Sequence, residues 1–255
     1  MSAAPADALS LKLTGPEATA LKGLGDDNLV LRAARRLAAQ FGIAPRAALT
    51  LGKQLPVASG IGGGSSDAAA ALRALAALWR RRPADAAALA LELGADVPAC
   101  LAGSPAWVGG IGEELVPLAR LPPVGVVLAN PRRELPTASV FRARQGAFSA
   151  PAPRGEVGDA EALFALLAEC RNDLTAAALS LLPQIGSMLD RLARLPDARL
   201  ARMSGSGATC FALFADRAAA ERAAAVLARA APEWWVRAGA LLSAPVPVRP
   251  VVGRR

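Results

Sequence analysis

Apolar and polar positions follow two different periods along this chain, and the two periods predict strands and helices. Residues 9–13 alternate strictly and residues 47–55 alternate loosely, so both segments are predicted as strands with one buried face. Between them, Asp26, Asp27 and Asn28 precede a helical run of leucines, which is typical of a capped helix start. The predicted order of elements in this part is therefore a strand, a helix and a second strand.

A glycine-rich loop follows the second strand and leads into an Ala- and Leu-rich helix that runs to Trp79. Its glycines permit positive φ and close backbone approach, and the polar triplet after them is predicted to form the N-cap and first turn of the helix. The glycines are Gly60, Gly62, Gly63 and Gly64, and the triplet is Ser65, Ser66 and Asp67. A strand, a glycine loop and a helix N-terminus together favour phosphate binding, because free N–H groups and the positive end of the helix dipole point at the anion.

This loop matches neither of the two commonest phosphate-binding patterns. No lysine lies between Gly60 and the end of the helix, so the Walker pattern fails, and Gly62-Gly63-Gly64-Ser65 does not fit Gly-x-Gly-x-x-Gly. A merely flexible turn is the alternative. It is the weaker interpretation, because a run of adjacent glycines costs backbone entropy.

The second half of the pattern is mainly helical, with strands between the helices. Residues 145–159, which hold few apolar anchors, are predicted to be a flexible connection between an N-terminal and a C-terminal part. The predicted elements are a helix over 84–93, two strands around a glycine turn in 106–118, a buried strand over 124–131, a helix opened by Pro136 and Thr137, helices after Asn172 and over 183–195, a helix over 216–230 and a strand over 234–242.

Two short polar motifs leave their roles open when taken alone. Asp96 stands in Gly94-Ala95-Asp96-Val97-Pro98, where an aspartate either caps the next turn or serves as an acid–base group. Residues 204–207 read Ser-Gly-Ser-Gly before an apolar strand, and taken alone such a segment is weak evidence for a site, because it is often only a flexible turn.

Composition narrows the class of protein. The formal net charge is +8, but the 26 arginines and 3 lysines are scattered and lack aromatic interleaving, so solvated helix faces are favoured over nucleic-acid binding. Three widely spaced cysteines indicate reduced thiols rather than a disulfide framework, and the absence of histidine excludes Ser-His-Asp and Cys-His catalysis within this sequence. No membrane segment or secretory signal is recognised, so a cytoplasmic location is expected.

Residues 56–70 closely resemble the second motif of the GHMP kinases, and the Asp96 and Ser204–Gly207 segments are similar to that family's later motifs, in the same order. The resemblance covers roughly residues 9–243. It implies an α+β fold of two parts, an N-terminal GHMP kinase domain (residues 1–130) of α/β type and a C-terminal one (131–243) forming a split α+β layer, followed by a flexible tail (244–255). The active site is expected in the cleft between the parts.

The same resemblance implies ATP-dependent phosphorylation of the 2-hydroxyl of a cytidine diphosphate-linked methylerythritol, in the non-mevalonate route to isoprenoids, with Mg²⁺ as the metal. Asp96 is the expected base, and Thr137 and Phe141 are expected to border the acceptor, although core packing is an equal alternative for Phe141. Asp67, Ser65 and Ser66 are candidate Mg²⁺ ligands. The expected ATP-binding residues are Pro56, Val57, Ala58, Ser59, Gly60, Ile61, Gly62, Gly63, Gly64, Ser65, Ser66, Ser204, Gly205, Ser206 and Gly207.

One family motif is not found. GHMP kinases of this type carry a Lys-x-Asn-Leu strand and a Gly-Tyr-His segment, whereas this sequence has no tyrosine or histidine, and Lys12 lies on a strand that matches a later one. We therefore expect Met1 to be an internal or misassigned start, and loss of such a lysine to cost about 10²–10⁴-fold in rate. The alternatives are another GHMP small-molecule kinase, of homoserine or mevalonate type, and a non-catalytic nucleotide-binding remnant.

Overall fold

The structure of this chain is a computed structural model, which describes residues 1–242 except residues 22, 24, 58, 83–85, 119, 153 and 156. The chain divides into two compact units, one formed by residues 1–57 and 62–117 and the other by residues 58–61 and 118–243. The predicted tail, residues 244–255, lies outside the described residues.

The first unit is a small sheet covered by helices. Its elements are β1 (Ser2–Ala4), β2 (Ser10–Thr14), α1 (Leu29–Gln40), β3 (Ala48–Gly52), α2 (Gly63–Leu78), α3 (Ala87–Leu93), α4 (Val97–Ala102), β4 (Ala106–Gly109) and β5 (Glu114–Pro117). Strand β3 is central, parallel to β2 and antiparallel to β1, and β4 pairs with β5 as a separate hairpin. The apolar faces of α1 and α2 pack with Leu49 and Leu51 of β3 to form the core of this unit.

The second unit is an antiparallel sheet with the order β7-β8-β6-β9. Its elements are β6 (Gly125–Asn130), α5 (Thr137–Ala143), α6 (Ala160–Glu169), α7 (Thr175–Leu181), α8 (Gln184–Ala193), β7 (Leu200–Met203), β8 (Cys210–Phe214), α9 (Arg217–Ala230) and β9 (Trp235–Ala240). Alternation along β8 separates two cores. Cys210 and Phe214 join the larger core with α8 and α9, whereas Leu213 packs with Leu163 and Phe164 of α6 on the other face.

The predicted α+β fold is confirmed, and most predicted elements form near their expected places. Strands β1 and β7 and helices α4 and α6 were not predicted, because the two strands and α4 are only three to six residues long and α6 follows the Pro- and Gly-rich segment. Asp159 nevertheless caps α6 by accepting a hydrogen bond from the amide of Ala162. Strand β6 was predicted to belong to the N-terminal part, whereas in the structure it pairs with β8 and β9 of the second unit.

Candidate functional site

Helix α2 begins at the glycine run and not at the serines. Gly62 is its N-cap in the left-handed region (φ 65°), Gly63 is its first residue, and no side chain caps it. The predicted cap at the Ser-Ser-Asp triplet was therefore placed too late, whereas Ser65 and Ser66 do lie in the first turn of the helix, as predicted. A cap without a side chain leaves the first N–H groups of α2 open to an external anion.

The preceding part of the loop belongs to the second unit and packs there on the Ser-Gly-Ser-Gly loop. Ser204 Oγ donates to the carbonyl of Gly60 at 2.9 Å, and the amide of Thr209 donates to the carbonyl of Ser59 at 3.1 Å. Gly60 has φ 70°, and a Cβ at this position would collide with the carbonyl of Gly207. The structure thus brings residues 59–60 and 204–207 together; Ala58 lies outside the described residues.

Side-chain hydrogen bonds fix the Ser204–Gly207 segment from several sides. Ser206 is buried, and its hydroxyl lies 2.9 Å from the hydroxyl of Thr137, the first residue of α5. Asn172 Nδ2 donates to the carbonyls of Met203 and Gly205, at 2.9 and 2.8 Å. Thr137, which was predicted to border the acceptor, therefore contacts the loop that was predicted to bind ATP.

Lys53, which was not predicted as a site residue, lies just before the glycine loop in the first unit. Its side chain is only 5% exposed, and Nζ donates to Asp67 Oδ2 of α2 at 2.5 Å. Nζ also lies 3.4 Å from the place of a Cβ on Gly63, so the ammonium group adjoins the start of α2. A lysine between the end of an apolar strand and a glycine loop was the signal available in the sequence.

The end of β2 holds the backbone of Lys53. The amide of Lys53 donates to the carbonyl of Thr14 at 2.7 Å, and the amide of Glu17 donates to the carbonyl of Lys53 at 3.2 Å. Gly15 has φ 93°, and its α-carbon lies so close to Lys53 that a Cβ would come within 2.5 Å of the Lys53 carbonyl oxygen. The Thr-Gly-Pro turn predicted after β2 therefore positions this lysine.

Asp96 occupies the N-cap position of α4, but its side chain makes no capping hydrogen bond there. Its Oδ2 atom lies 3.9 Å from the place of a Cβ on Gly62, the N-cap of α2. The β4–β5 turn supports this position, because Gly112 packs directly on the carbonyl of Ala95. Within the first unit, the structure thus brings an exposed carboxylate to the N-terminus of α2.

Cys100 lies one helical turn after Asp96, and the neighbouring charges affect the pKa of its thiol. Burial raises the pKa of the Cys100 thiol, and the carboxylates of Asp96 and Asp67 raise it further, against a lowering effect from Arg73. Its Sγ atom lies 4.0 Å from the place of a Cβ on Gly62. The N-terminus of α2 is therefore flanked by Lys53 and by two carboxylates.

The other predicted residues have mixed exposure. Phe141 is 52% exposed on α5, so the structure does not support the core-packing alternative for it. Pro56 and Gly63 are buried, Val57, Ile61 and Ser65 are half-buried, and Gly64 and Ser66 are exposed. The predicted ATP residues 62–66 and Asp96 lie in the first unit, and residues 59–61 and 204–207 lie in the second.

Two further observations concern only the residues that the structure describes. No group of three or more Cys, Asp and Glu side chains is arranged to hold a metal ion. No helix combines the length and apolar character needed to cross a bilayer.

Two family models match this chain. Residues 28–104 match the GHMP kinases N terminal domain, and residues 152–233 match the GHMP kinases C terminal domain. The first match includes the glycine loop, Lys53 and Asp96, and the second includes the Ser204–Gly207 segment.

Relatives and solved structures agree with the family models. The chain is 51% identical over 243 residues to the 4-diphosphocytidyl-2-C-methyl-D-erythritol kinase of Rhodospirillum rubrum, covering 94% of this chain and 80% of the relative. It is 53% identical over 237 residues to that of Cereibacter sphaeroides, covering 92% and 83%. A crystal structure of 4-(cytidine 5'-diphospho)-2C-methyl-D-erythritol kinase has a TM-score of 0.72 at 36% identity, covering 93% of this chain and 83% of that one. Homoserine kinase from Cytophaga hutchinsonii, with a TM-score of 0.67 and 17% identity, shares the fold.

Proposed function

This chain belongs to the GHMP kinases, in the family of 4-diphosphocytidyl-2-C-methyl-D-erythritol kinases, and from that premise we propose that it phosphorylates this compound. It transfers the γ-phosphoryl group of ATP to the 2-hydroxyl of 4-diphosphocytidyl-2-C-methyl-D-erythritol. The reaction is a step towards isoprenoid precursors by the non-mevalonate route, and we place the enzyme in the cytoplasm.

The observation that carries the proposal is the position of the Asp96 carboxylate beside the uncapped N-terminus of α2, 3.9 Å from the place of a Cβ on Gly62. A helix N-terminus binds phosphate through its open N–H groups, and a carboxylate beside it can accept a proton from an incoming hydroxyl. Phosphoryl transfer needs this combination, because most of the catalysis consists of positioning and electrostatic stabilisation.

In the proposed reaction, the acceptor 2-hydroxyl oxygen attacks the γ-phosphorus while its proton moves to a carboxylate oxygen of Asp96. The bond between the γ-phosphorus and the β–γ bridging oxygen breaks, and ADP leaves with the electron pair. Asp96 makes no capping hydrogen bond within α4, so its carboxylate is free of that structural task.

Lys53 and the backbone of α2 supply the positive side of the site. The Lys53 ammonium group adjoins Gly63 and is held by Asp67. The second unit, taken by itself, offers the backbone N–H groups of Gly205 and Ser206 and the Ser206 hydroxyl, while the amides of Ser204 and Gly207 donate to the carbonyls of Thr209 and Ser204. Exposed glycines on both loops let phosphate oxygens approach the backbone closely.

The residues present fit a Mg²⁺ ion that is held mainly by the nucleotide. Mg²⁺ in kinases is bound by one or two carboxylates together with substrate phosphates, so a protein cluster of three ligands is not required. Asp67 would be the carboxylate, with the hydroxyls of Ser65 or Ser66 beside it on the first turns of α2. When bound, the ion neutralises charge on the transferring phosphate.

Thr137 and Phe141 lie one turn apart on α5 and form the proposed acceptor side. The exposed ring of Phe141 offers a stacking face for the cytosine base, and Thr137 links this helix to Ser206. The identity of the acceptor follows the relatives named above, which share about half of their residues with this chain.

The test is turnover by the purified chain with ATP, MgCl₂ and 4-diphosphocytidyl-2-C-methyl-D-erythritol, with homoserine and mevalonate as competing acceptors. We expect a product heavier by one phosphoryl group from the cytidine compound alone, and its loss in the Asp96→Asn variant. Equal turnover by the wild type and Asp96→Asn would refute the role of Asp96. Preferred phosphorylation of homoserine or mevalonate would refute the proposed acceptor.

A further inference from the structure

Asn172 fixes the Ser204–Gly207 segment through both of its side-chain groups. Its Nδ2 donates to the carbonyls of Met203 and Gly205, which lie on either side of Ser204. Its Oδ1 accepts from the amide of Leu174 at 3.0 Å, so the side chain is itself held by the turn before α7. Asn172 therefore sets the spacing between this turn and the loop.

The next residue, Asp173, holds a different segment. Its Oδ2 accepts hydrogen bonds from the amide and the hydroxyl of Ser149, at 2.8 and 2.9 Å. These two bonds stabilise the ionised carboxylate and lower the pKa of Asp173. Two adjacent side chains of one turn thus reach two segments that lie more than 50 positions apart in the sequence.

The segment that Asp173 holds carries an exposed aromatic ring. The guanidinium of Arg144 lies over the ring of Phe148 at 3.5 Å, and Arg144 Nη1 donates to the carbonyl of Gly146 at 2.7 Å. Phe148 is 68% exposed. An exposed ring beside a guanidinium group offers a stacking face for the planar base of a nucleotide and a cation for the phosphates of that nucleotide.

This segment, residues 144–149, begins where α5 ends, and α5 carries Thr137 and Phe141. We propose that the Asn172–Asp173 turn positions the two substrates of the kinase separately. Asn172 positions the Ser204–Gly207 segment for the nucleotide, and Asp173 positions residues 144–149, whose Phe148 ring contacts the cytidine diphosphate part of the acceptor. The proposal rests on the proposed function, and Asn172 and Asp173 are both positioning residues in it.

The nucleotide arm is tested with the Asn172→Asp variant, which keeps the shape and the acceptor for Leu174 but removes both N–H donors. Binding is measured by calorimetry with β,γ-imido-ATP and, separately, with cytidine diphosphate. We expect the affinity for the ATP analogue to fall about tenfold, as for the loss of one or two hydrogen bonds, and the affinity for cytidine diphosphate to stay unchanged.

The acceptor arm is tested with Ser149→Ala, Asp173→Ala and the double variant. We expect each variant to lower the affinity for cytidine diphosphate about fivefold to tenfold without changing the affinity for the ATP analogue. The double variant should lower the affinity for cytidine diphosphate by no more than the single variants do. Ser149→Thr keeps the hydroxyl and should restore binding. Ser187→Ala is the matched control, because Ser187 is also an exposed serine, and its hydroxyl donates only within α8.

Unchanged binding in all variants, or equal weakening of both ligands by each variant, would overturn the proposal. Since Ser149 is exposed, its variants keep the fold, so this arm decides even if an Asn172 variant does not fold. Failure of the proposed function is distinguishable: a wild type that binds both ligands without phosphorylating the cytidine compound refutes the function and leaves the positioning intact. A wild type that binds neither ligand refutes both.

Discussion

Ser204 and Gly60 are joined by a hydrogen bond across 144 positions of the sequence, with Ser204 Oγ donating to the Gly60 carbonyl at 2.9 Å. The amide of Thr209 adds a second link to the carbonyl of Ser59. Both links hold the beginning of the glycine loop through its carbonyls, and they place the two loops that the sequence suggested for ATP in direct contact. The conformation of one loop is therefore set by the other.

Substitution Gly60→Ala is expected to break this contact. The residue has φ 70°, and the new methyl group would collide with the carbonyl of Gly207. We expect a loss of about 2 kcal/mol or more in the free energy of unfolding, because the strain of positive φ adds to the steric clash. Denaturant titration followed by circular dichroism measures this loss.

Gly64→Ala is the matched control for that change. Gly64 lies within α2, and nothing stands within 4 Å of a Cβ at this position. Alanine in a helix is favoured over glycine by about 0.5–1 kcal/mol, so the control should be neutral or stabilising without nucleotide. Equal destabilisation by both substitutions would contradict the packing of Gly60 on Gly207.

Lys53→Met is expected to destabilise the first unit. The change leaves the Asp67 carboxylate without the ammonium group that it contacts, and breaking a buried pair from one side costs about 3–5 kcal/mol. The Asp67 side chain is 22% exposed, so we expect the lower end of that range. The free energy of unfolding in denaturant is the measurement, and weaker ATP binding should accompany the change.

Two comparisons make the Lys53 result specific. The double variant Lys53→Met with Asp67→Leu should recover part of the loss, because no charge is left uncompensated. Arg36→Met should change stability by less than about 1 kcal/mol, since its pair with Glu92 is exposed. A Lys53→Met variant as stable as the Arg36 variant would show that the buried pair contributes nothing.

The elements that the sequence predicts correctly are those whose structure is determined by the local residue pattern. Asn28 and Asp216 cap their helices through side-chain oxygens, as their residue types predict, and the apolar run predicted as a strand after the second glycine loop forms β8. The glycine loop was located from its run of glycines, because glycine adopts positive φ without steric cost, as Gly60 and Gly62 do here.

The remaining features depend on contacts between distant residues, which a local pattern does not contain. The position of Lys53 depends on its contacts with the end of β2 and with Asp67 of α2. The cap of α2 was misplaced because side-chain capping favours serine, whereas this helix begins on a glycine with no capping side chain. The hydrogen bond from Asn172 to the carbonyl of Gly205 spans 33 positions, and no periodic pattern in the sequence predicts it.

Asp96→Asn is expected to lower kcat about 10²–10⁴-fold, which is the usual cost of losing a general base. The affinity for ATP should change little, because the amide keeps the size of the carboxylate. Steady-state kinetics with the cytidine acceptor measures kcat and KM separately. Asp190→Asn, an exposed aspartate on α8, should behave as the wild type, and a comparable fall in kcat for both variants would exclude a specific role for Asp96.

The same Asp96→Asn substitution should increase the reactivity of Cys100, and this prediction does not depend on catalysis. The negative charge of Asp96 raises the pKa of the thiol, second to the effect of burial, so its removal lowers the pKa and increases the thiolate fraction at pH 8. We expect iodoacetamide to modify Cys100 several-fold faster in the variant, as measured by peptide mass spectrometry over time. Cys210 is the internal control, because burial raises its pKa to about 12 and should keep it unmodified in both folded proteins. Equal Cys100 rates in the two proteins would mean that the Asp96 carboxylate does not act on the thiol beside the N-terminus of α2, and the proposed place of the base would then be wrong.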